Sequence, residues 1–467
     1  MSCTSLLMKL IVPGMASALI VCSLLLAPGA PAAPVDPPPV KERKLDGRLQ
    51  KFFAAKEAHA RVLTKEVKGE VSPDVWAYFE AGRKGRWSEV KLLWRDLSRR
   101  SGQYTNGRMD ESVRTLVWPA LLEAELAYEG FSQMDVKFID AFALEVIESI
   151  PRGSIYFGGT DYGRGLITAL SKDHAAGKPF CTITQNALAD GGYLEYLRAM
   201  YGGKLSMPTK RDSERAFNDY IADAGERYER GELKPGEKVQ KDENGRYSVS
   251  GQVAVMAINA ALARVIFEAN PKQEFFIEES FPLEWMYPHL EPHGLILKIE
   301  RDPAVVLSDG LVRRSEAFWQ KQVKRWLGRE VSEGTSLKEI CEFATRLYVD
   351  ADLEGFKGDK DFVLADRRYS PQRMFAKLRS AQASVYAWRA QRAEGVEKAR
   401  MARAADLAFR QAFALGPFAN DAVLRYANFL KEQKRDAEAQ LLAETASQIN
   451  PSDRALRKLA HPVEDEE

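Results

Sequence analysis

A glycine-rich segment is the first place in this sequence where residue types and spacing could support chemistry. It runs Tyr156-Phe-Gly-Gly-Thr-Asp-Tyr-Gly-Arg-Gly165, with four glycines between an apolar run and a helical pattern. Glycines at a strand-to-helix turn leave backbone N–H groups free to bind an anion at the helix N-terminus. Gly158 and Gly163 have the spacing of a phosphate-binding loop. However, Arg164 and Gly165 stand where that motif needs Lys and Ser or Thr, so the segment is not a nucleotide-binding loop.

A second polar loop belongs to the same predicted region. A predicted strand ends in the run Thr184-Gln-Asn-Ala-Leu-Ala-Asp-Gly-Gly-Tyr193. Because ligands of open parallel sheets bind at the carboxyl ends of the strands, we expect the two loops to be neighbours. The sequence therefore predicts a small-anion or sugar site. Its candidate residues are Gly158, Gly159, Thr160, Asp161, Arg164, Gln185, Asn186 and Asp190.

The glycine-rich turn also has a purely structural interpretation. Thr160 or Asp161 could cap the following helix, and the glycines would then serve only to permit a tight turn. Both interpretations stay open at the level of the sequence.

Residues for metal binding and nucleophilic catalysis are scarce, since the chain holds five His and four Cys. His289 and His293 have the i, i+4 spacing of a metal-binding pair, but Pro292 prevents a regular helix there. His174 lies in a polar loop and is expected to be exposed. The sequence contains no Gly-x-Ser-x-Gly motif. We therefore expect no catalytic residues, no metal and no cofactor, and a protein more suited to binding than to turnover.

The charge balance bears on the class of partner. The chain has 67 basic and 66 acidic residues, and a near-zero net charge disfavours binding to nucleic acid through bulk electrostatics. A basic helical pattern at 313–325 alternates with aromatic residues, and we interpret it as an amphipathic helix with a solvated face.

The N-terminus has the pattern of a secretory signal peptide. An apolar run at 10–27 is followed by Ala30-Pro31-Ala32, which predicts cleavage before Ala33. The alternative is an uncleaved anchor, since the run approaches the length that spans a bilayer. Residues 1–32 are thus a predicted signal peptide, and 33–44 a Pro-rich linker. The protein is expected to be exported, periplasmic or associated with the cell envelope, with membrane contact only through an uncleaved leader.

Hydrophobic periodicity divides the rest of the chain into three regions and a tail. Residues 45–150 are helical, 151–303 alternate strands with helices, 304–460 are helical again, and 461–467 form a disordered acidic tail. Strands at 154–157 and 180–184, each followed by a helix, indicate a parallel pair with a right-handed crossover. The predicted fold class is α+α/β: a central α/β domain with a small parallel or mixed sheet, flanked by helical hairpins.

A repeat of 34 residues in the C-terminal region resembles the tetratricopeptide repeat. The second-helix pattern A-x3-F-x2-A-x4-P occurs once in good form and once in diverged form near 386–453. Its positions are Ala405, Phe409, Ala412 and Pro417, then Ala439, Ala443, Ala446 and Pro451. The alternative is an unrelated helical hairpin.

Parts of the central region resemble a known family. The segments are 150–161 (IPRGSIYFGGTD), 180–185 (FCTITQ), 193–197 (YLEYL) and 281–298 (FPLEWMYPHLEPHGLILK). They look like the soluble extracytoplasmic domain of bacterial membrane glycosyltransferase-like proteins, which are related to protein O-mannosyltransferases and are of unknown function. The resemblance implies a fold and a compartment. It does not imply a transferase, because this chain lacks the family's multi-span membrane region.

Three functions follow as expectations. The first is an exported, non-catalytic interaction or scaffold protein that binds a protein partner through its helical repeats. The second is a small-anion or sugar-binding module that uses the 158–164 turn. The third is an accessory subunit of an envelope glycosylation system. No nucleic acid is expected among the partners.

Overall fold

A computed structural model describes residues 45–66, 70–102, 109–159, 162–278, 283–304, 306–367 and 370–461. The predicted signal peptide, the linker at 33–44 and residues 462–467 of the predicted tail lie outside the described residues. The chain forms two compact units. Among the described residues, unit 1 comprises 45–132 and 150–275, and unit 2 comprises 133–149 and 276–461.

The first part of the chain begins with five helices and then alternates short strands with helices. In chain order its elements are α1 (Gly47–Leu63), α2 (Pro73–Arg83), α3 (Trp87–Arg100), α4 (Trp118–Gln133), α5 (Val136–Ser149), β1 (Ile155–Gly158), α6 (Tyr162–Leu170), β2 (Cys181–Thr184), α7 (Gly191–Tyr201), α8 (Lys210–Arg230), β3 (Lys238–Lys241), β4 (Tyr247–Ser250), α9 (Gln252–Ala269) and β5 (Phe275–Ile277).

The second part is almost entirely helical after one hairpin. Its elements are β6 (Leu290–His293), β7 (Ile296–Ile299), α10 (Asp309–Leu327), α11 (Leu337–Tyr348), α12 (Lys360–Leu364), α13 (Pro371–Arg392), α14 (Gly395–Leu415), α15 (Asn420–Glu432), α16 (Asp436–Ile449) and α17 (Arg454–Ala460). The described residues are mostly helical with a small mixed sheet, which confirms the helix-rich α+α/β class.

The sheet has the strand order β2-β1-β5-β7-β6. β1 and β2 are parallel, with Ile155 opposite Cys181 and Gly158 opposite Thr184. This confirms the predicted parallel pair, because a helix, α6, connects the two strands as a crossover requires. β6 and β7 form an antiparallel hairpin. β3 and β4 form a separate antiparallel ribbon. The charged stretch 234–246 predicts a loop and 246–249 a strand that resumes the alternation, so β3 is a strand that the sequence pattern does not predict.

Capping residues set several helix ends. Thr209 and Asp212 form a capping box at the start of α8, and Gly231 ends that helix with a φ of 69°. Ser336 and Glu339 form the same box at the start of α11. The local sequence therefore determines where these helices begin and end.

The sequence at 253–267 is apolar on nearly every face and predicts a deeply buried helix, and α9 differs from this prediction. It buries one stripe, which includes Ile258, Leu262 and Ile266, while other apolar residues such as Met256 and Val265 stay partly exposed. Within the described part of the chain, α9 is the one helix long and apolar enough to cross a membrane.

The predicted repeats coincide with two helical pairs in unit 2, α13 with α14 and α15 with α16. α14 ends at Leu415 and α16 at Ile449, each two residues before the proline of the pattern. Phe409 is buried and stacks on Tyr426 at a ring distance of 5.3 Å. Helical hairpins are therefore present where the spacing predicts them. Their assignment to the tetratricopeptide family stays a prediction.

The predicted domain boundaries are a statement about independent folding and stay a prediction. The compact units divide the chain elsewhere, after Ser132, Ser149 and Phe275.

Candidate functional site

The glycine-rich turn follows β1 in unit 1, and packing accounts for two of its glycines. A Cβ on Gly158 would lie 2.6 Å from Cγ of Arg164. A Cβ on Gly165 would lie 2.6 Å from the backbone carbon of Leu126 in α4, so this glycine allows α6 and α4 to cross closely. Both glycines are required by close contacts within the protein. Thr160 and Asp161 lie outside the described residues.

Arg164 points into unit 1. Its side chain is 2% exposed, and its Nε donates to the backbone oxygen of Gly159 at 3.2 Å. Its Nη1 donates to Oε1 of Glu123 at 3.3 Å. The turn therefore places its cation against the protein's own carboxylate.

Four buried side chains meet at this carboxylate, and we call them the Glu123 cluster: Lys56, Glu123, Arg164 and Tyr196. Nζ of Lys56 donates to Oε2 of Glu123 and, at 3.0 Å, to the hydroxyl oxygen of Tyr196. The Tyr196 hydroxyl donates to Oε2 of Glu123 at 2.9 Å. One carboxylate thus joins α1, α4, α6 and α7.

The charges of the Glu123 cluster decide its protonation. Burial opposes the ionised form of Glu123, but Lys56 and Arg164 outweigh it and lower the pKa of this carboxyl to about 2. Burial also lowers the pKa of the Lys56 ammonium, against the attraction of Glu123. The cluster is an internal ionic anchor with two cations around one anion.

Two histidines flank Lys56. His174 lies in a 3-10 turn, His174–Ala176, with its ring 4.9 Å from that of Phe52. His59 in α1 stands edge-on to Tyr196 at 6.1 Å. Burial, with Lys56 as the second cause, lowers the pKa of His59 to about 4 and that of His174 well below its usual range. The expectation of an exposed His174 is wrong, since its side chain is 4% exposed.

The two amides after β2 are the part of the predicted site that keeps polar groups available. Gln185 and Asn186 lie in a 3-10 turn, Gln185–Ala187. Gln185 is 1% exposed, and neither its amide nitrogen nor its amide oxygen has a hydrogen-bond partner in the described part of the chain. The same holds for Oδ1 of Asn186. A buried amide without partners costs about 1–3 kcal/mol, so such a group in a native fold points to a missing partner.

Asn259 of α9 fixes this turn. Its amide nitrogen donates to the backbone oxygen of Asn186 at 2.9 Å, and its amide oxygen accepts from the backbone nitrogen of Ala189 at 2.7 Å. The strand register pairs Gly158 with Thr184, so Gln185 follows directly at the carboxyl edge shared by β1 and β2. The amides are therefore held at the place where ligands of parallel sheets bind.

Asp190 is engaged by the protein itself. Its Oδ1 accepts from the backbone nitrogens of Gly192 and Tyr193, at 2.8 and 3.3 Å, and so caps α7. Its Oδ2 accepts from Arg114 at 3.2 Å. Arg164 and Asp190 thus have structural partners, whereas Gln185 and Asn186 retain unpaired atoms.

Sequence reasoning did not identify Lys56, Glu123 or Tyr196. A signal was present: Lys56 occupies the apolar stripe of α1 with Phe52, Phe53 and Ala60, where a cation needs a buried partner. Nothing in the sequence names that partner, which is 67 residues away.

Unit 2 has a different kind of polar centre. Arg379 on α13 is fully buried and donates from Nε to Oε1 of Gln411 at 2.9 Å and from Nη1 to Oε1 of Gln382 at 3.0 Å. Arg389 donates to the backbone oxygens of Ala304 and, at 2.8 Å, Leu290. Among the described residues neither arginine has a carboxylate partner. Burial lowers the pKa of Arg379 to about 10.

Two histidines of unit 2, His289 and His293, both contact backbone oxygens. His289 ends the 3-10 turn Glu284–His289, and its Nδ1 lies 2.8 Å from the backbone oxygen of Glu300. His293 in β6 places Nε2 2.8 Å from the backbone oxygen of Ser149. Both rings can donate an N–H to a carbonyl. In the described ranges no group of three or more His, Cys, Asp or Glu residues is placed to hold a metal ion.

Comparison with known proteins gives no match. No family model, no curated protein and no solved structure is similar to this chain. The family resemblance drawn from the sequence therefore stays a prediction.

Proposed function

We propose that this chain is an exported, non-catalytic binding protein of the cell envelope. In this proposal unit 1 takes a small polar ligand at the carboxyl edge of β1 and β2. The observation that carries it is the Gln185 amide, which is buried and has no partner among the described residues. A ligand that pairs with this amide would recover the free energy lost by desolvating it.

The unpaired atoms favour one class of ligand over another. An amide oxygen accepts hydrogen bonds and so needs a donor from the ligand. The side-chain amide oxygens of Gln185 and Asn186 both lack a donor among the described residues. A fully ionised anion has no donor to offer and inorganic phosphate near pH 7 has one or two, whereas each of the several hydroxyls of a sugar both donates and accepts. We therefore favour a neutral, hydroxyl-bearing ligand such as a saccharide over a small anion.

The test is ligand binding to the full chain by calorimetry, with neutral monosaccharides and inorganic phosphate as probes at millimolar concentration. We expect a saccharide to bind to the full chain. Gln185→Leu should abolish this binding and leave stability equal or higher, because a buried unpaired amide is removed. Gln433→Leu, at an exposed position in unit 2, is the control and should bind as the wild type does.

Each failure has its own meaning. Binding of phosphate that depends on Gln185 would overturn the saccharide and keep the ligand site. Binding by neither probe, or equal binding by Gln185→Leu, would overturn the site and leave ordered water as the partner of the amide.

The second candidate function is protein binding through the helical pairs of unit 2. The observation that favours it is that α15, α16 and α17 follow one another in space and each leaves one face exposed. The partner that the family resemblance implies is a membrane glycosyltransferase-like protein of the envelope, to which this chain would be an accessory subunit.

A deletion from Ser370 onward does not test this scaffold function, because α13 and α14 supply much of the core of unit 2. Charge reversal at exposed positions does. Glu444→Lys with Arg457→Glu should reduce recovery of envelope partners in a pull-down while thermal stability is kept. Unchanged recovery of every partner would contradict the proposal.

A further inference from the structure

Helix α1 is held to the rest of unit 1 on two sides that differ in chemistry. On one side Phe53 packs against Tyr78 and Trp87, at ring distances of 5.5 and 5.9 Å, with no charge involved. On the other side Lys56 enters the Glu123 cluster and Phe52 packs on His174. The first contact is insensitive to protonation, whereas the second contains two neutral imidazoles.

We propose that the contact between α1 and the His174–Ala176 turn is an acid-sensitive latch, closed while His59 and His174 are neutral and open when they take up protons. It does not depend on the proposed ligand site.

The acceptors around the latch are already used. Oε1 of Glu123 accepts from Arg164, and Oε2 accepts from Lys56 and Tyr196. Nε2 of His174 has no hydrogen-bond partner in the described residues, and neither has Nε2 of His59. A proton added to the His174 ring would therefore bring a buried positive charge without an acceptor at Nε2, and one added to the half-buried His59 ring would bring a second positive charge close to Lys56.

The charges of the side chains that face the turn from other elements sum to a net positive charge. Those that can carry charge come from α1, α4, α6, β2 and the end of α7 with its following loop: Lys56, His59, Glu123, Arg164, Cys181, Tyr201 and Lys204. Of these, Glu123 is the one carboxylate, and two cations already share it. The turn's own flanking charges, Asp173 and Lys178, are opposite in sign and both exposed to solvent, where their charges are screened. Protonation of the imidazoles raises repulsion between α1 and the turn, in an interior where charges are poorly screened.

The chain contains a built-in reporter of this opening. Sγ of Cys181 lies against Gly177, which ends the turn, since a Cβ on that glycine would be 2.6 Å from the sulfur. Cys341 in unit 2 is the matched control, because it is also free and buried. If the turn lifts, the Cys181 thiol becomes reachable while Cys341 stays covered.

The experiment measures thiol labelling of the full chain by 4,4′-dithiodipyridine, which reacts under acid conditions, with each cysteine followed by peptide mapping. Rates are divided by that of a free cysteine peptide at the same pH. Between about pH 7 and about pH 4 the corrected labelling rate of Cys181 should rise about tenfold or more, while that of Cys341 should not. A tenfold rise corresponds to a pKa difference of about one unit between the closed and open states. His59→Gln with His174→Gln should remove the rise.

Equal rises at the two cysteines would show general acid unfolding and overturn the latch. So would a rise at Cys181 that survives in the histidine variant. If that variant does not fold, carbon-13 NMR titration of the wild-type histidines decides the matter. Two imidazoles that titrate near the ordinary histidine pKa with the fold intact would overturn the proposal.

Discussion

The most deeply buried cations of the two units have different partners, although unit 2 also contains a buried ion pair between Arg410 and Asp406. In unit 1 the buried cations meet carboxylates: Lys56 and Arg164 share Glu123, and Arg227 pairs with Glu237. In unit 2 the arginines of α13 meet neutral amide and carbonyl oxygens. A carboxylate partner neutralises charge but makes the site depend on protonation. A carbonyl oxygen does not titrate, so its bond to an arginine does not depend on its protonation. The bond instead holds a backbone segment against the helix.

The consequence in unit 2 is visible in the segment around β6 and β7. Gln382 donates to the backbone oxygens of Gly294 and Ile296, at 2.9 and 3.0 Å, and Arg389 donates to that of Leu290. Helix α13 thus donates hydrogen bonds to three backbone oxygens of the β6–β7 hairpin. The face of α13 that carries Gln382 and Arg389 contacts the β6–β7 hairpin.

The largest expected effect breaks the carboxylate centre of unit 1. Glu123→Ala leaves two buried cations without a counter-charge, so it should lower the free energy of unfolding by about 3–5 kcal/mol. Urea unfolding measures this. Glu89→Ala, which removes an exposed pair with Arg86, is the control and should leave stability close to that of the wild type. A loss for Glu123→Ala no larger than that of the control would contradict the role of the cluster.

The next effect uses the exception in unit 1, a buried carboxyl without a cation. Glu125 accepts from the Tyr78 hydroxyl at 2.8 Å, and burial, aided by Glu129, raises its pKa to about 8. The folded state therefore holds a proton that the unfolded chain releases above its ordinary glutamate pKa. The resulting stability is fully present below that pKa and is lost as pH rises through 8.

Glu125→Gln imitates the protonated side chain and should remove this dependence. Its unfolding free energy should match the wild type near pH 4 and exceed it by about 5 kcal/mol above pH 8, at 1.36 kcal/mol per unit of pKa shift. Chemical unfolding across this pH range measures the difference. Parallel pH curves for the two proteins would show that Glu125 ionises normally.

The smallest effect belongs to the carbonyl partners of unit 2. Arg389→Met keeps the stem of the side chain but leaves the oxygens of Leu290 and Ala304 without this donor, so we expect a loss of about 1–3 kcal/mol. The loss is best measured at a single pH of about 8, because burial raises the pKa of the nearby Glu291 carboxyl and Arg389 opposes that rise. Hydrogen exchange should increase first in residues 288–304. Unchanged stability and exchange would contradict the role of Arg389 as a donor to these oxygens.

Local patterns predicted what local interactions determine. The strands β1 and β2, the helices after them and the helix ends before Pro417 and Pro451 lie where periodicity and breakers place them. The direction in which a side chain points is harder to predict from sequence. The same Arg164 suits an anion site or an internal ion pair, and Glu123 on α4 decides between them from 41 residues away.

His174 shows the same limit from the other side. Its neighbours Asp173 and Lys178 suggest a solvated loop, but the turn places the imidazole against Phe52 on α1, 122 residues earlier. Burial of a single residue depends on which element packs over it, and periodicity contains no such information for a short turn. Gln185 was identified because it directly follows a predicted strand, where the fold class itself makes the edge a candidate site.

The most direct test of the central claim is a crystal structure of the full chain soaked with the saccharide that binds best. We expect a sugar whose hydroxyl oxygens lie within hydrogen-bond distance of both amide atoms of Gln185 and of Oδ1 of Asn186. A Gln185 amide paired with ordered water or with the chain's own groups, and a sugar absent or bound elsewhere, would contradict it.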